Sequence, residues 1–183
     1  MVALLTPEVD LGWKAPDFSL LGSDLHYYSL DRVAGENGLV VIFMCNHCPF
    51  VKAILPKIIR DCRELKTLGI GSAAIMSNDV NLYPDDSFTE MKRIAEEEHF
   101  SFPYLYDENQ EIAKSYGAVC TPDFFGFNAD LTLQYRGRLD NSGREVKEDN
   151  ARELFDAMSD IAHHGYTNNP QHPSVGCSIK WKE

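Results

Sequence analysis

The chain has 183 residues, 44% of them hydrophobic, and a formal net charge of −11. It is long enough to bury a core as one domain without disulfide staples, and its acidity excludes broad binding to nucleic acid or anionic lipid. The first residues carry no basic stretch ahead of a long apolar run, and no segment reaches the roughly 18 apolar residues of a membrane span. The expectation is a cytoplasmic protein without a signal peptide, not a membrane protein, in a compartment that keeps most thiols reduced.

In chain order, residues 18–20 and 26–30 flank Gly22-Ser23-Asp24 and read as an N-terminal β-hairpin. Residues 39–44 form a continuous apolar run, the pattern of a buried central strand. Val51, Ile54, Leu55, Ile58, Ile59, Cys62 and Leu65 then recur at i, i+3, i+4, i+7 spacing and predict an amphipathic helix, with a kink expected at Pro56. Residues 70–76 make a second buried strand. Ser87-Phe88-Thr89-Glu90 has the form of a capping box and opens a helix to about residue 98, an inserted strand–helix element.

Residues 104–106 predict a short strand and 109–116 a short helix. Residues 123–127 and 131–135 are strands joined by a tight turn at Asn128-Ala129-Asp130, and a last helix spans about 149–163. Residues 166–183 read as an irregular tail, docked because it keeps Val175, Ile179 and Trp181. Strands alternating with helices give an α/β class: a central mixed sheet with helices on both faces, in a single domain over 1–183 with its core at about 17–165.

Chemistry concentrates where the first core strand ends, in Cys45-Asn46-His47-Cys48. The first turn of a helix has unpaired N–H groups and a partial positive charge, which stabilise a thiolate. Cys45 is therefore expected to ionise below the free-thiol value of about 8.5. Two intervening residues let both sulfurs approach on one turn, and His47 adds a group that can favour the thiolate. Polar Asn46 and His47 argue against burial of the pair. Five cysteines leave at least one without an intrachain partner, and in a reducing compartment a close pair is catalytic or metal-binding more often than structural.

A second motif, Cys120-Thr121-Pro122, precedes the strand at 123. With it the chain resembles the thioredoxin superfamily, and in particular its peroxiredoxin-like branch, over roughly residues 17–165. The resemblance implies a thioredoxin-like fold in which Pro122 is a cis proline packed against the active-site cysteines. It implies that Cys45 attacks a partner's disulfide and Cys48 resolves the mixed disulfide, with His47, Thr121, Pro122 and Cys120 in support. Peroxiredoxins carry Pro-x-x-x-Thr-x-x-Cys; on that pattern Cys48 takes the peroxidatic position, while Cys45 replaces the threonine and Val41 the proline. Met44 stands where thioredoxins place a tryptophan, and no acidic residue lies in the 39–44 strand where they keep a buried carboxylate.

Among the remaining cysteines, Cys62 lies on the apolar helix stripe and reads as core. Cys120 is read as a buried thiol or a neighbour that tunes the pair, and Cys177 as a packed tail residue or a resolving thiol. The leading expectation is a thiol–disulfide oxidoreductase acting on protein or small-molecule disulfides, with a thioredoxin or glutathione system as reductant and no cofactor. The alternatives are a thiol peroxidase using Cys48, and a metal-binding or carrier module built on Cys45, Cys48 and a histidine: His47 with a distant His163 or His172. A homodimer follows by analogy with peroxiredoxin-like proteins.

Overall fold

The structure is a computed structural model, and it describes residues 3–7, 10–148 and 150–183. Ten strands and five helices follow in the order β1 (Ala3–Leu5), β2 (Ser19–Gly22), β3 (Tyr27–Ser29), α1 (Leu30–Val33), β4 (Gly38–Phe43), α2 (Pro49–Thr67), β5 (Ile70–Met76), α3 (Phe88–Glu97), β6 (Tyr104–Tyr106), α4 (Glu111–Tyr116), β7 (Cys120–Thr121), β8 (Asp123–Asn128), β9 (Leu133–Gly137), α5 (Glu153–His164) and β10 (Val175–Ser178) among the described residues. A seven-strand mixed sheet runs β3-β2-β6-β5-β4-β8-β9. β5 and β6 are parallel, whereas β4–β8 and β8–β9 are antiparallel. At the join of β5 and β4, the Met44 N–H donates to the Ile75 carbonyl at 3.0 Å.

β4 is buried along its whole length, as its apolar run predicts. Alternation divides its side chains between two cores. Val40 and Ile42 face the layer of α2 and α5, with Ile58, Leu65 and Met158. Leu39, Val41 and Phe43 face the other layer, with Phe125, Phe127 and Tyr116. There the rings of Phe43, Tyr116 and Phe125 meet edge-on or tilted, with centroids 5.6–5.7 Å apart, and Trp13 closes the cluster at 6.1 Å from Phe125.

The predicted hairpin is present as β2–β3. α2 runs unbroken across Pro56, and Ser87 caps α3, its hydroxyl accepting from the Glu90 N–H at 3.4 Å. The last helix begins at Glu153; Asp149, where the sequence opens it, lies outside the described residues. The tail corrects the sequence reading. It is not irregular throughout, because β10 is a strand between β1 and β7. A glycine, a cysteine and a serine in four residues carry no alternating apolar signal. No helix among the described residues is long and apolar enough to cross a membrane.

Phe125 is fully buried and belongs to the aromatic cluster. Phe125→Ala is expected to cost about 3–5 kcal/mol of stability, read as a lower urea midpoint with an unchanged slope. A loss under about 1 kcal/mol would mean that the cluster repacks.

Candidate active site

Three chain segments converge on Cys45 and Cys48. β4 delivers the loop 44–48 to one end of the sheet, where Cys48 is the residue capping α2 and Pro49 occupies its first position. The end of β7 and the residue that links it to β8 present Thr121 and Pro122, joined by a cis peptide bond as the resemblance implies. β10 lies on the far side of Thr121, which pairs with Cys177.

The contacts are specific. The Thr121 hydroxyl lies 3.5 Å from Cys45 Sγ, and the Thr121 carbonyl lies 3.2 Å from Cys48 Sγ. Cys177 Sγ is 3.0 Å from Cys48 Sγ. Cys120 shares the strand with Thr121, but its thiol points to the Pro122 carbonyl at 3.9 Å. Cys62 is buried among α2 residues, and burial pushes it up to about 12, in keeping with a core role. The structure thus gathers Cys45, Cys48, His47, Thr121, Pro122 and Cys177, and turns Cys120 aside.

Two expectations are corrected. The pair is buried, with Cys45 2% and Cys48 0% exposed, because β7 and β10 cover the strand end that the sequence leaves open. The ionisation order is also reversed. Cys48 falls to about 5: Cys45 donates a hydrogen bond to it, against the cost of burial, and the Cys177 thiol and the Val51 and Cys177 N–H groups add to the effect. Cys45 rises well above the ordinary thiol range, because its proton is held by Cys48, because it is buried, and because the Asp86 carboxylate is near. Position adds to this mutual hydrogen bond. The helix start acts on its own cap, Cys48, whereas Cys45 sits three residues ahead of it. The Thr121 carbonyl would accept a proton from Cys48 and works the other way, but the flanking donors outweigh it.

Asp86 is the functional residue that sequence reasoning missed. It is fully buried at the end of a 3-10 turn over Pro84–Asp86. Its Oδ1 accepts from the Asn46 and His47 N–H groups at 2.8 and 3.2 Å; its Oδ2 accepts from Asn78 at 2.8 Å and meets His47 Nδ1 at 2.6 Å. Asn46 also accepts from the Tyr104 hydroxyl at 2.8 Å. His47 stacks on Tyr83, and its Nδ1 lies 3.9 Å from Cys45 Sγ. The only signal was negative: the central strand lacked the carboxylate that the resemblance requires.

Cys45, His47 and Asp86 bring one ligand atom each to within 4.8 Å of one another, a set that could hold a metal ion. His163 and His172 lie elsewhere, against the Ser159 carbonyl and Glu153. Beside Cys45 a cleft of about 320 Å³ is walled by Leu55, Pro56, Ile94 and Phe100, with Lys52 and Arg93 among its charged residues.

The Redoxin family model matches residues 10–154. An uncharacterized conserved protein from Geobacillus kaustophilus is 41% identical, with a TM-score of 0.94, over 100% of this chain and 97% of that one. A hypothetical protein from Sinorhizobium meliloti is 31% identical, with a TM-score of 0.92, over 97% and 98%. The thioredoxin domain of a thiol-disulfide oxidoreductase from Bacteroides vulgatus shares the fold at 14% identity, with a TM-score of 0.63, over 85% and 99%. No curated protein matches significantly.

Two outcomes follow from the site. In the reduced protein, thiolate absorbance is expected to vanish on acidification with a midpoint near pH 5 and to be missing from Cys48→Ser. A folded pKa below the unfolded one stabilises the fold fully above the unfolded value, about 8.5, and this contribution is lost as pH falls towards 5. A first midpoint above pH 8 would overturn the assignment. Asp86→Asn removes a charge that holds Cys45 up, so Cys45 should alkylate faster at neutral pH in peptide-mapped kinetics. The same change should lower stability by about 1–3 kcal/mol through weakened buried hydrogen bonds.

Proposed function

The chain belongs to the Redoxin family, and from that membership we propose that it is a thiol–disulfide oxidoreductase working by exchange through Cys45 and Cys48. One observation carries the reading. Cys45 lines the cleft while its sulfur shares a proton with Cys48, the cap of a helix. The two thiols thus form a dithiol holding one negative charge near neutral pH, with Cys45 on the wall of the cleft.

In the reducing direction, Cys45 passes its proton to the Cys48 thiolate and attacks one sulfur of the partner's disulfide. That S–S bond breaks, and the first partner sulfur leaves as a thiolate. Cys48 gives up its proton to this leaving group and attacks Cys45. The Cys45–Cys48 disulfide forms, the second partner sulfur leaves, and two electrons have passed from the dithiol to the partner. Stabilising the Cys48 thiolate favours the dithiol over the disulfide and raises the potential. Thr121 Oγ1 and His47 face Cys45 when it carries the charge. Substrates are protein or small-molecule disulfides reached through the cleft, and a thioredoxin or glutathione system in the cytoplasm returns the electrons.

A thiol peroxidase is the second reading, favoured by one specific observation: the thiolate rests on Cys48, ahead of Pro49, rather than on Cys45. There the Cys48 thiolate would take one oxygen from a hydroperoxide, releasing an alcohol. Condensation of the sulfenic acid with Cys45 would then release water.

Reduction of an intrachain protein disulfide, one equivalent per dithiol and without added glutathione, separates the two. Exchange requires both cysteines, so Cys45→Ser and Cys48→Ser should each abolish this reduction. Chelators should have no effect, and peroxide should be consumed no faster than by free cysteine. Rapid peroxide consumption that survives Cys45→Ser with a trappable sulfenic acid, but not Cys48→Ser, would replace exchange with peroxidase chemistry. Loss of activity on chelation would point to a metal on Cys45, His47 and Asp86.

A further inference from the structure

Cys48 has a second sulfur neighbour, and it belongs to the far end of the chain. Cys177 lies 129 residues away in sequence, yet its Sγ is 3.0 Å from Cys48 Sγ. A disulfide is about 2.05 Å long, so bonding needs an approach of roughly 1 Å. Cys48 is therefore in contact with one thiol on the cleft side and one under the tail.

The tail is fastened on either side of Cys177. The Ile179 N–H donates to the Val119 carbonyl at 3.0 Å, and the Lys180 N–H donates to Asn78 Oδ1 at 2.9 Å. The Lys180 carbonyl accepts from the Asp79 N–H and from Gln110 Nε2, both at 2.8 Å. Next to Cys177, Gly176 passes so close to Thr121 that a Cβ would fall 2.1 Å from the Thr121 carbonyl oxygen. Glycine at 176 is what lets β10 press onto the loop that also touches Cys45 and Cys48. The contact is built by the sheet.

Resting on the exchange reading, we propose that Cys177 is a third redox thiol, to which the Cys45–Cys48 disulfide is handed on as a Cys48–Cys177 disulfide. The Cys177 thiolate attacks Cys48 Sγ, the Cys45–Cys48 bond breaks, and Cys45 leaves as a thiolate that takes up the proton Cys177 gave away. No oxidant or reductant enters, because one disulfide and one thiol become another disulfide and another thiol. In the reduced protein burial and the neighbouring Cys48 push the Cys177 thiol up to about 12, with Lys180 and Arg144 pulling it back; the attacking form is the thiolate, so the transfer speeds up as pH rises. Afterwards the disulfide sits under the tail, and Cys45 lines the cleft as a thiol again.

The test uses the full chain as wild type, Cys45→Ser and Cys177→Ser, each treated with one equivalent of diamide, alkylated and peptide-mapped. Cys45→Ser is expected to form an intrachain Cys48–Cys177 disulfide that dithiothreitol reverses. Oxidised wild type should show a fraction of molecules with alkylated Cys45, rising with pH, and Cys177→Ser should show none. If Cys45→Ser yields only a diamide adduct or interchain dimers, and Cys177 is alkylated in every oxidised form, the relay is wrong while exchange stands. If Cys177→Ser forms no Cys45–Cys48 disulfide, the exchange reading itself fails. Should circular dichroism show Cys45→Ser unfolded, the oxidised wild-type map decides: Cys48–Cys177 peptides support the relay and their absence overturns it.

Discussion

The buried carboxylate of Asp86 is the constraint on which the site depends. A fully buried aspartate is costly unless its oxygens are filled. Here two backbone N–H groups, an asparagine amide and an imidazole fill them. Those partners include both residues between the cysteines, so satisfying one charge also fixes the loop that sets the spacing of the sulfurs. The same charge lies close enough to Cys45 to oppose its ionisation. Asp86 thereby helps to decide which of the two thiols carries the negative charge, without touching the one that does.

Burial is the other half of the arrangement. A thiolate in a low-dielectric interior is held only by donors aimed at it. Cys48 has two S–H groups and the first turn of α2 around it, while Cys45 keeps the edge of a cleft. In the exchange proposed above, one sulfur stores charge and the other meets what arrives. The Asp123–Arg136 pair, buried at 2.8 Å, anchors the start of β8 directly behind Pro122, so the loop opposite the sulfurs is held from its own side as well.

Much of the scaffold was legible in the sequence because it is encoded locally. The runs at 39–44 and 70–76 and the stripe from Val51 to Leu65 are each complete within one element, and the structure returns β4, β5 and α2 almost residue for residue. The motif at 45–48 and the proline at 122 could be found because residue types at short spacing carry their chemistry. What stayed hidden is encoded across distance. Asp86 sits in Pro84-Asp85-Asp86, which carries no pattern of its own, and only the fold brings Asn46 and His47 over it. β10 has no periodicity of its own and becomes a strand because β1 and β7 supply its hydrogen bonds. The burial and charge order of the two cysteines depend on that strand, so they were out of reach for the same reason.

The distance between Cys48 and Cys177 along the chain has a consequence for how the protein comes into being. Synthesis runs from the N-terminus, so the Cys45–Cys48 motif exists long before residue 177 has been made. Contacts of such sequence separation close late, because the loop entropy between their ends must be overcome first. A nascent or half-folded chain thus has the dithiol without its roof: no tail over the strand end and no third sulfur. The mature pattern of thiol reactivity becomes a certificate of completed folding, issued only when the last strand has slid between β1 and β7.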